Sequence, residues 1–219
     1  MANILCIETA TTNCSVALSV NGSVISLRED TSKGYSHAEL LHIYIADTLR
    51  DGQLDTSQLD AIAVSMGPGS YTGLRIGVSA AKGLCFALDI PLISVPTLES
   101  LAHKVSTTSG WIIPMLDARR MEVYSAVFTS EKQKIRDTQA EILTPDSFSE
   151  YLTEGDVSFI GSGVEKFQAI CDSPNAQFMN AELPSASQMA PLAMLKYEKS
   201  DIEDVAYFEP YYLKDFIAG

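Results

Sequence analysis

Apolar and polar positions alternate along this chain with two different periods. Asn3 to Ile7 is a short, nearly unbroken apolar run, the pattern of a strand buried on both faces. Ser15 to Val20 alternates with a period of two. Asn21-Gly22 follows, and both residue types tolerate the positive φ of a two-residue hairpin turn. Ser23 to Glu29 then returns as a third strand, so the chain opens as a three-stranded meander. Ser36-His37-Ala38-Glu39 sets a hydroxyl three residues before a carboxylate, a capping box. Leu40, Leu41, Tyr44, Ile45 and Leu49 recur behind it at helical spacing, and Gly52 supplies a stop. Leu59 to Ser65 predicts a strand, Gly67 to Gly73 a glycine-rich turn, Leu74 to Leu88 a second helix and Leu92 to Val95 another strand.

The second half follows the same plan. Trp111 to Leu116 and Glu122 to Phe128 predict paired strands around Asp117-Ala118-Arg119-Arg120. Thr144-Pro145 has the form of an N-cap with proline at the first helical position. Val157 to Ile160 predicts a strand running into Gly161-Ser162-Gly163, an echo of Gly67-Pro68-Gly69. Helical stretches are expected near Val164 to Cys171 and Ala186 to Lys199. The pattern is that of a duplicated RNase H-like α/β unit: two lobes, each a mixed sheet with flanking helices. A first lobe is expected over residues 1–103 and a second over 104–219, with the segment from about 205 free to pack back on the first.

Composition narrows the function classes. The 219 residues are 46% hydrophobic and 20% charged, as in a folded globular protein. A net charge of −13 makes the chain a poor candidate for gripping a phosphate backbone by itself. Cys6, Cys14, Cys85 and Cys171 form no C-x-x-C pair and read as reduced thiols. The first eight residues lack the basic region of a signal peptide, and no apolar stretch reaches membrane-spanning length, so the expected location is the cytoplasm.

Three features could carry chemistry. Gly67, Gly69, Ser70, Thr72 and Gly73 follow a strand and open a helix, where backbone N–H groups can hold an anion; the same turn can simply seat a helix on a sheet. It is neither a Walker loop nor the dinucleotide fingerprint. In the helix behind it, Gly73, Gly77, Ala81 and Cys85 form a row of small residues, and Ile76, Ala80, Gly83 and Ala87 line another side. A helix apolar on most sides is covered on most sides, by its own domain or by another chain. Glu8, beside Thr9, Thr11 and Thr12, could orient a cation or water, or cap the turn. Asp117-Ala118-Arg119 with Glu122 and Tyr124 allows a charged catalytic patch or a salt-bridged hairpin. His37 and His42 are five apart, and no Cys/His cluster has ligand spacing, so a metal site is not expected.

The motifs in order form a recognisable set. Ile4 to Thr11 with Cys14 to Leu18, Gly67 to Gly77, Pro91 to Leu98, Asp117-Ala118-Arg119 with Glu122-Val123-Tyr124, and Glu209 to Leu213 resemble the TsaB (YeaZ) family along essentially the whole chain. The resemblance implies an ASKHA (actin-like ATPase) fold and a part in making N6-threonylcarbamoyladenosine beside the anticodon of ANN-decoding tRNAs. It implies a non-catalytic protein supporting a TsaD-like threonylcarbamoyltransferase, with a TsaE-like ATPase and tRNA reached through the complex. No cofactor is expected in the isolated chain; ATP and a metal ion are implied for the partner complex. Family members dimerise through first-lobe helices, with themselves or with TsaD, so the chain alone is expected to form a homodimer. The interface this implies comprises His37, Leu40, Leu41, Tyr44 and Ile45 of the first helix. From the second it takes Arg75, Val78, Ser79, Ala81, Lys82, Cys85 and Phe86. Aligned on Val95 and Glu99, the paralogue's metal-binding histidine pair falls on Thr97 and Leu101, a weak ligand and a non-ligand. The alternative is an independent ASKHA-type nucleotide-dependent enzyme using Glu8 and the Gly67–Gly73 turn.

Overall fold

Strands β1 (Asn3–Glu8), β2 (Cys14–Val20) and β3 (Ser23–Asp30) build the opening meander in a computed structural model that describes residues 1–30 and 37–214. β1 pairs antiparallel with β2, Leu5 opposite Leu18, and β2 with β3, Ala17 opposite Leu27. Asn21 and Gly22 turn the chain with φ of 49° and 77°, the left-handed pair an Asn-Gly hairpin accepts. Helix α1 (His37–Asp51) comes next; the Ser36 hydroxyl expected to cap it lies outside the described residues. β4 (Ala61–Gly67) runs parallel to β1, α2 (Tyr71–Leu88) crosses back, and β5 (Leu92–Pro96) lies parallel to β4. α2 begins at Tyr71, ahead of the predicted Leu74, because the Ser70 Oγ accepts the Gly73 N–H and nucleates the first turn early. The resulting sheet has the order β3-β2-β1-β4-β5.

A short helix, α3 (Thr97–Ala102), leads into β6 (Trp111–Asp117), β7 (Glu122–Thr129) and β8 (Lys134–Ile142). Then come α4 (Ser149–Glu154), β9 (Val157–Gly161), α5 (Val164–Gln168), β10 (Ala176–Asn180) and α6 (Ala186–Glu198). The second sheet reads β10-β9-β6-β7-β8, which traversed from β8 repeats the first sheet strand for strand. β6 and β7 are antiparallel, and β6, β9 and β10 are parallel, the same senses as their counterparts. The echo between the glycine turns is structural as well: Gly67 ends β4 at φ 110° and Gly161 ends β9 at φ 125°, a backbone state glycine alone adopts readily.

Two compact units result. One comprises Met1–Thr97 and the chain from Pro184 onward; the other is Leu98–Leu183. This departs from the 1–103 and 104–219 division, because the chain returns to the first sheet at Pro184 and not near 205. The reason lies in strand faces. β1 sends Leu5 and Ile7 into a core with Leu41 and Ile45 of α1 and Val78, Ala81 and Cys85 of α2. Its alternate residues Ile4 and Cys6 form a second core with Met189, Ala190 and Ala193 of α6. A strand buried on both faces needs a helix on each, and α6 supplies the second. The Leu98–Leu183 unit holds its own core, in which Phe148, Phe159, Phe167 and Phe178 pack edge-on and stacked with centroids 4.9–6.2 Å apart. Thr144-Pro145 opens a turn there, with Ser147 N–H donating to the Thr144 carbonyl, and the helix starts later, at Ser149. Among the described residues all four cysteines are free, and no helix is long and apolar enough to cross a membrane.

Candidate functional site

The glycine turn is a close-packing device built from small residues. Ser70 N–H donates to the Ala10 carbonyl at 2.7 Å, and Gly67 N–H donates to Thr97 Oγ1 at 3.2 Å. A Cβ on Gly69 would overlap the Ala10 carbonyl oxygen, one on Gly73 the Thr9 carbonyl oxygen, and one on Gly77 the Thr9 hydroxyl. The row Gly73, Gly77, Ala81, Cys85 therefore faces inward, where the loop after β1 and the sheet cover it. Thr72 lies outside, exposed.

Glu8, at the end of β1, is completely buried. Its Oε1 accepts the Ala10 N–H at 2.6 Å. Burial drives its carboxyl up to about 7, against the opposing pull of the Ala10 N–H, the Ser65 hydroxyl and the Thr9 N–H. With no exposure, Glu8 offers no carboxylate to a ligand in this arrangement. The two positions aligned with the paralogue's histidine pair both have structural work: the Thr97 hydroxyl accepts from the glycine turn, and Leu101 is buried in a core of the second unit.

The expected interface set divides in two. Leu41, Ile45, Val78, Ala81 and Cys85 belong to the first unit's own core, and His37 is buried with Nε2 2.7 Å from the Thr11 carbonyl oxygen. These six are buried within the chain, because their helix faces are the ones that cover the sheet. Lys82 is half-buried and donates to the carbonyls of Ala206 and Phe208, tying α2 to the C-terminal segment. Leu40 and Tyr44 are partly buried. Arg75, Ser79 and Phe86 remain exposed, Phe86 to 85%.

The outer face holds residues the interface expectation did not include. A cavity of about 660 Å³ opens along α2 and is lined by Ile76, Ala80, Gly83 and Leu84, with Tyr71, Thr72, Arg75 and Ser79 along α2 and His42 from α1. The signal was the second apolar stripe Ile76, Ala80, Gly83, Ala87, which the more conspicuous small-residue row overshadowed. Gly83 is the informative member. Among the described residues a Cβ there would meet nothing within 4 Å, in contrast to Gly69, Gly73 and Gly77. An exposed glycine inside a helix costs about 1 kcal/mol relative to alanine, and no contact with the described residues requires it.

In the second unit, Asp117, Arg119 and Arg120 sit at the β6–β7 hairpin end. Lys166 Nζ of α5 meets Asp117 Oδ1 at 2.7 Å, an ion pair that reaches the hairpin from outside it. Arg119 and Arg120 are both exposed with positive φ, 69° and 47°. Among the described residues no three His, Cys, Asp or Glu side chains converge as metal ligands would.

Duplicated five-stranded mixed sheets with flanking helices define the class: an ASKHA-type protein of two RNase H-like units. The (R)-2-hydroxyglutaryl-CoA dehydratase component A of Acidaminococcus fermentans shares this fold at TM-score 0.52 and 10% identity, covering 92% of this chain and 100% of that one. The solved structure of YeaZ from Pseudomonas aeruginosa is far more similar, at TM-score 0.81 and 26% identity over 97% of this chain and 100% of that one. The chain is 30% identical to the tRNA threonylcarbamoyladenosine biosynthesis protein TsaB of Escherichia coli (strain K12), covering 98% of this chain and 96% of that protein. Residues 30–218 match the family described as TsaD: tRNA N6-adenosine threonylcarbamoyltransferase. The chain belongs to the TsaB (YeaZ) family, within that wider threonylcarbamoyltransferase group.

Proposed function

We propose that this protein acts in the biosynthesis of tRNA threonylcarbamoyladenosine as a non-catalytic partner. It binds a TsaD-like threonylcarbamoyltransferase through the outer faces of α1 and α2, and a TsaE-like ATPase joins the pair. ATP and a metal ion serve the partner subunits, and tRNA is held by the assembly. The observation that carries this reading is Gly83: the α2 face carries a glycine beside Ile76, Ala80 and Leu84 where no described residue calls for one, as close approach by another helix requires. The net charge of −13 supports a role that leaves the tRNA phosphates to other subunits. The buried state of Glu8 and the structural use of Thr97 and Leu101 support the non-catalytic part.

The test is reconstitution. The transferase subunit, the ATPase, ATP, the threonylcarbamoyl donor and unmodified tRNA are incubated with and without this protein, and modified adenosine is quantified by mass spectrometry. Product is expected only with the protein present. Gly83→Leu fills the open face without touching the core, and is expected to abolish both complex and product while the chain stays folded. Equal product without the protein, or a fully active Gly83→Leu complex, overturns the proposal.

A further inference from the structure

The groove along α2 is mostly apolar, with Thr72, Ser79 and His42 among its lining, and carries a charge at Arg75. Arg75 is exposed at the N-terminal mouth, and among the described residues it forms no ion pair. Among the described residues no Asp or Glu lines the cavity; beside Arg75 its titratable side chains are His42 and Tyr71.

Arg75 is also held in place. Its Nη1 donates to the Tyr71 hydroxyl at 3.0 Å, and its guanidinium lies 5.3 Å from the Tyr71 ring centroid. Tyr71 in turn packs on Tyr212, with centroids 5.0 Å apart. Tyr212 is delivered by the C-terminal segment, which is fastened at three points. Phe208 is buried in the first core, Lys82 donates to the Phe208 carbonyl at 3.0 Å, and Tyr211 N–H donates to the Met66 carbonyl at 2.7 Å. A flexible arginine is thus stacked and aimed from an aromatic pair that the end of the chain completes. Preorganisation of this kind lowers the entropic cost of a later contact.

We infer that Arg75 is the charge reader of the α2 face: the groove receives a helix of a different protein whose apolar stripe fills it and whose carboxylate pairs with the Arg75 guanidinium, which Tyr71 and Tyr212 hold ready. This rests on the docking role proposed above and adds the chemistry of the occupant. Charge complementarity selects a foreign chain over a second copy, because an identical groove presents no carboxylate to Arg75. Tyr212 is a positioning residue in this arrangement, acting through Tyr71.

Affinity for the purified transferase subunit, measured by calorimetry at two salt concentrations, tests the idea. Arg75→Gln is expected to weaken binding about tenfold and to flatten its salt dependence, and Arg75→Glu to weaken it about a hundredfold. Arg75→Lys retains the charge but not the planar fork, and is expected to fall between wild type and Arg75→Gln. Tyr212→Ala is expected to cost severalfold, and Tyr212→Phe, which keeps the stacked ring, to bind as wild type. Arg75→Glu bound within twofold of wild type overturns the inference. If Gly83→Leu abolishes the same complex, the docking face stands and only its charge reading fails; if neither variant matters, both readings fail. A lone-chain dimer that Arg75→Glu dissociates, with the transferase complex intact, assigns the contact to a second copy and overturns the inference too.

Discussion

Glu8 carries a carboxyl group into the interior of the first sheet, and its protonation is therefore linked to folding. Its ordinary value of 4.5 rises to about 7 because burial penalises the charged form. The folded chain holds a proton between these values that the unfolded chain has released. The stabilisation is fully present below about pH 4.5 and is lost as pH rises through about 7. The linkage amounts to about 3 kcal/mol across that window. Glu8→Gln keeps an acceptor for the Ala10 N–H and removes the titration. Urea unfolding at pH 5 and pH 8 is expected to show the variant near wild type at the lower pH and roughly 2–3 kcal/mol more stable at the higher. Parallel pH profiles for the two proteins contradict the assignment.

Two glycines of one helix separate the two uses of α2. Gly73 faces the Thr9 carbonyl, so Gly73→Ala forces the helix off the loop after β1 and is expected to destabilise the chain by about 1–3 kcal/mol. Gly83 faces open space, so Gly83→Ala is expected to stabilise the isolated chain by about 1 kcal/mol while weakening the complex with the transferase subunit. Thermal unfolding and affinity then move in opposite directions for Gly83→Ala, a result that internal packing alone does not produce. The same inside–outside division explains how far the site was legible. Periodicity located both helices, but a helix apolar on two sides does not say which side meets its own sheet. Leu41, Val78 and Cys85, expected at an interface from the resemblance, also cover Leu5 and Ile7. The strand β8 escaped for a different reason. Lys134-Ile135-Arg136-Asp137 carries little apolar alternation, as suits an edge strand with only one neighbour, and its pairing to β7 is set by the hairpin and not by burial. Even the early start of α2 was readable only in part, since Ser70 was visible as a turn residue while its cap to Gly73 required the geometry.

At the scale of the molecule, the first unit closes only with residues from the far end of the chain. Asn13 donates to the Pro184 carbonyl at 2.9 Å, and Ala186 N–H donates to Ser15 Oγ at 3.0 Å, tying the first hairpin to the start of α6. From there Met189, Ala190 and Ala193 cover the sheet face formed by Ile4, Cys6, Ala63 and Val95. Local pattern gave a helix over Ala186–Lys199 but could not say which sheet it would cover, because that pairing spans roughly 170 residues of sequence. The consequence is an asymmetry between the units. Leu98–Leu183 is continuous, owns all five strands of its sheet and carries its own phenylalanine core. Expressed by itself it is expected to fold, with a cooperative thermal transition and dispersed amide resonances. A chain ending at Leu183 loses α6 and the fastening of the C-terminal segment, and leaves one face of the first sheet bare. Such an apolar face binds hydrophobic dye and drives association. The truncated chain is therefore expected to keep the transition of the second unit, to lose that of the first, and to bind 8-anilinonaphthalenesulfonate strongly. Retention of both transitions would show that β1 to β5 hold together without α6, and that its packing contributes little to the unit it completes.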